Sequence, residues 1–116
     1  MSDLYNILPE EFPELLPLVS EVGMIVNRKE QILKICLLLL EDVNAHEEVA
    51  NLAATFGISK INDVYNIPGV KEFIRKISPS VEWDMFATAS FCLHILEDNN
   101  MHNSMIEFEK QFELEE

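Results

Sequence analysis

The sequence predicts an all-α fold, a compact single-domain helical bundle of five to seven helices over residues 1–116, and three observations carry that expectation. Helix punctuation recurs along the chain while strand punctuation is nearly absent. Two segments are apolar almost all round, as central helices are. The only strand-like stretch, "IEFEKQFELEE" at the end, has no second strand to pair with.

Pro9, Pro13 and Pro17 crowd the start, so residues 1–13 are expected as an extended, proline-containing lead-in. Pro17 fits a helix only in its first turn, where N–H groups lack internal partners, which predicts a helix from near Leu15 to about Val26, weakened by Gly23. Asn27 with Glu30 has capping-box spacing and opens the first central helix, about 28–43. Within it, only Lys34 is polar between Ile32 and Leu40. Asn44 with Glu47 repeats the spacing and starts a helix that Gly57 ends as a left-handed residue followed by Ile58. "KINDVYNI" reads as a short helix stopped by Pro68 and Gly69, and "VKEFIRKI" as another.

Ser78 with Pro79 predicts the start of the second central helix, about 79–98, which presents Trp83, Phe86, Phe91, Leu93, Ile95 and Leu96 and breaks at Asn99–Asn100. Beyond the break, Met101, Met105, Phe108 and Phe112 recur at spacings of four, three and four. That stripe makes the tail a helix rather than a strand, with fraying over its last few residues.

Composition bounds function. One domain of 116 residues buries a core without disulfide or metal. Three glycines, Gly23, Gly57 and Gly69, cannot build a phosphate-cradling loop. Cys36 and Cys92 lie inside apolar runs, where reduced, buried thiols are expected in preference to the disulfide that packing of their two helices would allow. The N-terminus lacks a basic stretch followed by an apolar one, and the longest apolar run is Ile35–Leu40, so a cytoplasmic protein without a membrane span is expected.

The net charge is −13 and its distribution is uneven. Residues 1–27 carry Asp3, Glu10, Glu11, Glu14 and Glu21 with no base, and residues 77–116 carry Lys110 alone against nine acids. Such a field repels nucleic acid and anionic membrane and attracts basic surfaces. Lys71, Arg75 and Lys76 share one short segment beside Glu72, too little against that field to hold a phosphate backbone.

No catalytic constellation emerges, so no enzyme is expected. Cys36, Cys92, Thr88 and Ser90 sit on apolar helices without a neighbouring base in sequence. His94, Glu97, Asp98 and His102 fall within nine residues, and His94 with Asp98 has the i,i+4 spacing of metal ligands. His102 lies beyond the helix break, and no third strong ligand follows at a fitting interval. This is read as a polar helix end, with no metal or cofactor; His46 is read as a solvated helix start. The paired carboxylates elsewhere, such as Glu10/Glu11 and Glu47/Glu48, are read as surface.

The acidic stripes remain, and they form the candidate partner-binding set: Glu10, Glu14, Glu21, Glu97, Asp98, Glu107, Glu109, Glu113 and Glu116. Carboxylates at the end of the last helix oppose its dipole at a cost of a few tenths of about 1 kcal/mol each, where stability alone would place lysines. The expected function is that of a non-enzymatic acidic binding protein, an inhibitor of the immunity-protein, antitoxin or anti-defence kind, which neutralises a basic nucleic-acid-processing partner such as a nuclease. A second expectation, from another class, is a helical adaptor binding an apolar peptide or helix through Met101, Met105, Phe108 and Phe112. A small metalloenzyme around His94 and His102 is the third.

Overall fold

A computed structural model of the chain describes residues 4–77 and 84–112. Among them every regular element is helical: α1 (Ile7–Glu11), α2 (Leu16–Val19), α3 (Glu21–Ile25), α4 (Lys29–Asp42), α5 (His46–Phe56), α6 (Val70–Ile77), α7 (Met85–Asp98) and α8 (His102–Phe112). Short 3-10 turns cover Leu4–Asn6, Pro13–Leu15 and Ile61–Asn66. The all-α expectation holds. The eight α-helices exceed the expected five to seven because the first quarter of the chain is cut into three short pieces.

α4 and α7 are the centre. Ile32–Leu40 of α4 is buried without interruption, and so is Ala87–Leu93 of α7, followed by Ile95 and Leu96. Even Lys34 is only 8% exposed; its ammonium pairs with Glu30 one turn earlier at 3.4 Å while its stem lies in the core. α4 packs on α7, α5 on α4, and α8 closes over both α5 and α7. Cys36 and Cys92 meet where α4 crosses α7: both thiols are free and buried, and the Cys92 Sγ lies 3.5 Å from the Cys36 carbonyl. Phe91 stacks on Phe73 of α6, with centroids 6.3 Å apart.

Three helix ends share one device. Val43–Asn44–Ala45, Phe56–Gly57–Ile58 and Asn99–Asn100–Met101 each place the middle residue in the left-handed region, at φ 67°, 66° and 60°. In each, the left-handed residue and the one after it close the helix with paired hydrogen bonds. Asn44 N–H reaches Glu41 O and Ala45 N–H reaches Leu40 O, both at 3.0 Å. Gly57 N–H reaches Ala54 O and Ile58 N–H reaches Ala53 O; Asn100 N–H reaches Glu97 O and Met101 N–H reaches Leu96 O. The apolar residue after each turn then folds back on the core, Ala45 and Met101 being fully inside.

This device corrects one expectation. Asn44 ends α4 rather than capping α5, whose N-cap is Ala45 with no side-chain bond. Asn27 likewise caps nothing: α4 begins after Arg28, which is extended and makes no side-chain cap. Asn serves both helix ends because its short amide tolerates left-handed backbone as well as it accepts N–H groups.

Three further expectations change. The stretch expected as an extended lead-in is wound into a 3-10 turn and α1, because Pro9 occupies the first turn of α1, where its missing N–H costs nothing. The helix expected over Leu15–Val26 breaks at Ser20, not at Gly23. The second central helix begins at Met85, not Pro79. Asp84 is extended (φ −97°, ψ −176°), and its carboxylate accepts the Ala87 N–H at 2.8 Å. The Ser78–Pro79 start and Trp83 lie outside the described residues.

The tail is α8, a helix. Phe108 is fully buried, Met101 and Phe112 nearly so, and Met105 packs against the same core. Phe108 faces Phe56 of α5 at 6.0 Å, and Phe112 meets Phe86 edge-on at 6.2 Å.

Candidate functional site

Ser90 explains why the first turns of the chain lie on α7. At 0% exposure its hydroxyl must find partners within the protein, and it finds two on the N-terminal segment. It accepts the Leu8 N–H at 3.0 Å and donates to the Tyr5 carbonyl at 3.1 Å. One turn further along α7, the His94 Nε2 lies 2.8 Å from the same carbonyl. A carbonyl only accepts, so Nε2 carries the proton and the neutral ring keeps its lone pair on Nδ1. The imidazole also stacks on the Tyr5 ring, with centroids 3.8 Å apart and planes 25° apart. The Tyr5 hydroxyl then donates to the Glu97 carboxylate. Four hydrogen bonds and one ring stack thus clasp residues 5–8 to a helix more than eighty positions away in sequence.

The clasp forms one wall of a cleft of about 520 Å³ lined by Tyr5, Leu16, Val19, Ser20, His94, Glu97 and Asp98. That volume lies within the range of about 300–1,000 Å³ usual for ligand clefts. α2 supplies the facing side, with Leu16 and Val19 as its apolar part. Gly23 of α3 comes close to the end of α7, where a Cβ would stand 3.1 Å from the Asn99 Oδ1.

Electrostatics follow from this burial. Partial burial holds the His94 imidazole below its ordinary value of 6.5, against the opposing pull of the Tyr5 carbonyl and the Glu97 charge. Burial, then the hydrogen bond to Glu97, then its charge, push the Tyr5 phenol up to about 12. The neutral forms of both groups therefore prevail at neutral pH. Glu97 and Asp98 occupy the last turn of α7, which holds no basic residue, so both charges oppose the helix dipole. Among the described residues, no Lys or Arg pairs with either carboxylate.

The acidic residues singled out from sequence differ in their surroundings. Glu97 and Asp98 line the cleft. Glu21 is bound to Lys76 at 3.1 Å and Glu107 to Lys110 at 3.7 Å, so part of their charge is neutralised locally. Glu10 and Glu14 are exposed near the start, and Glu109 is half-buried on α8. Glu113 and Glu116 lie outside the described residues. His102 is exposed and does not join His94; among the described residues, no three His, Cys, Asp or Glu side chains gather as metal ligands. His46 is not merely solvated, because its Nδ1 meets the Glu41 carboxylate at 2.9 Å. No helix among the described residues is long and apolar enough to cross a membrane.

Sequence reasoning missed Tyr5, Ser20, Leu16 and Val19. A lone tyrosine between prolines and acids carries no periodic signal. Ser90 was the available clue, since a hydroxyl on the innermost face of a central helix needs a partner from elsewhere.

The chain matches no protein-family model, no curated protein and no solved structure.

Proposed function

We propose that the protein is a non-enzymatic acidic binder that docks on the cationic surface of a basic partner, acting as an inhibitor of the immunity-protein or antitoxin kind toward a nucleic-acid-processing protein. The observation that supports this reading is the end of α7. Glu97 and Asp98 stand where they cost helix stability, lack a neutralising Lys or Arg among the described residues, and border a cleft. A charge kept at such a place is accounted for by a partner that supplies the cation. The overall charge of −13 extends the attraction to long range and favours fast, salt-sensitive association. The nuclease-type partner follows from chemistry, because a protein that grips phosphates must present a cationic cleft. The adaptor reading, by contrast, needs Met101, Met105, Phe108 and Phe112 at the surface, and three of the four are buried.

The test is binding to a panel of basic nucleases and other nucleic-acid-binding proteins at low and moderate salt. Affinity for the true partner should fall steeply with added salt, and the complex should lose its nuclease or nucleic-acid-binding activity. Binding that is indifferent to salt, or that leaves the partner's activity intact, overturns the reading.

A further inference from the structure

We infer that the cleft between the Tyr5–His94 stack, α2 and the end of α7 is a receptor for a guanidinium group, the side chain of an arginine on a partner protein. The inference rests on the reading of the chain as a dock for basic proteins and names the group that enters.

The cleft is open to solvent and has a volume of about 520 Å³. The polar hydrogens on its lining side chains each have an acceptor within the protein. The Tyr5 hydroxyl gives its proton to Glu97, and the Ser20 hydroxyl gives its proton to the Pro17 carbonyl at 3.3 Å. The His94 Nε2–H is given to the Tyr5 carbonyl. The capacity left on those side chains is for accepting: the Asp98 carboxylate, the remaining Glu97 lone pairs, the Ser20 oxygen and the His94 Nδ1. A lining rich in acceptors, and carrying two negative charges, selects a ligand that donates and is positive.

Shape favours arginine over lysine. A guanidinium is planar, offers five N–H donors in a rigid fork and sheds water more readily than an ammonium. A guanidinium also packs against aromatic rings, of which Tyr5 and His94 line the cleft, and its methylene stem lies along the half-buried Leu16. An ammonium is a compact, strongly hydrated point charge that cannot bridge two carboxylates with a planar fork.

The experiment is a heteronuclear NMR titration of the intact protein with Nα-acetyl-L-arginine amide, its neutral citrulline counterpart and Nα-acetyl-L-lysine amide. The arginine probe should give saturable shifts in the millimolar range at Tyr5, Ser20, His94 and Asp98. The lysine probe should bind several-fold more weakly, and citrulline should produce no saturable change. Asp98→Asn, at an exposed position, should weaken the arginine response several-fold, whereas Glu47→Gln on α5, remote from the cleft lining, should leave it unchanged. Equal responses to arginine and citrulline, equal responses to arginine and lysine, or unsaturable shifts scattered over the acidic surface each overturn the inference. The two readings fail separately. A cleft that takes arginine amide in a protein without a basic partner overturns the docking function alone. Salt-sensitive docking that Asp98→Asn does not weaken overturns the arginine receptor alone.

Discussion

The His94 imidazole lies flat on the ring of Tyr5 at 3.8 Å while its Nε2 donates to the carbonyl of that same residue at 2.8 Å. One side chain thus holds another residue by ring and by backbone together. Burial sets the sign of what acid does. The unfolded chain takes up a proton near 6.5, and the folded protein takes it up only at lower pH. Between those two points the unfolded state binds more protons, so stability is whole above about 6.5 and declines as the pH falls below it. Denaturant unfolding at about pH 7.5 and about pH 5.5 should show this loss, and His94→Gln, which keeps a donor but does not titrate, should reduce the difference. An unchanged difference in the variant would show that His94 does not couple stability to pH.

Ser90→Ala removes the bridge between Leu8 and Tyr5. The Leu8 N–H is then left unpaired at a residue with no solvent exposure. The cost should be about 1–3 kcal/mol, larger than for an exposed serine. Amide exchange should accelerate first over α1 and the 3-10 turn before it, while α4 and α7 stay protected. Uniform loss of protection across the protein would argue against a clasp that opens by itself.

Asn100 holds φ 60° at the turn into α8. A residue with a Cβ and no amide is strained there by about 1–2 kcal/mol, and glycine is not. Asn100→Ala should therefore lower the thermal midpoint and Asn100→Gly should leave it equal or higher. The reverse order would mean that the asparagine side chain, rather than its backbone, is what the turn requires.

Cys36 and Cys92 give a fourth expectation. Both are fully buried, and burial followed by the neighbouring Cys36 raises the Cys92 thiol well above its ordinary value. Neither thiol should react with an aromatic disulfide reagent in the native protein, and both should react after unfolding. Fast labelling of one thiol under native conditions would mean that the α4–α7 contact opens locally.

Much of this architecture is legible in the residues. The unbroken apolar run from Ile35 to Leu40, the stripe from Met101 to Phe112 and the glycine at 57 each specify what forms there, because burial and left-handed backbone are strong local demands. Asn44 is not legible in the same way. It satisfies the rule for starting a helix and the rule for ending one, and only the buried Ala45 after it decides. The Asp84 cap was hidden by an apparently better start at Ser78–Pro79. The site is the least legible part. Glu97 and Asp98 stand out as charges at a helix end, but nothing near Tyr5 in sequence announces a bond to residue 97. Contacts over such separations depend on the completed packing and leave no periodic trace.

The clasp also fixes when the cleft exists. Tyr5 and Leu8 precede His94, Glu97 and Asp98 by more than eighty residues in the chain, so neither wall alone forms the cleft. A nascent chain, a partly folded intermediate or a fragment lacking α7 presents acidic surface without the cleft. A ligand that needs both walls of the cleft would bind the folded protein and not a chain that lacks either wall, and so would stabilise the native state alone.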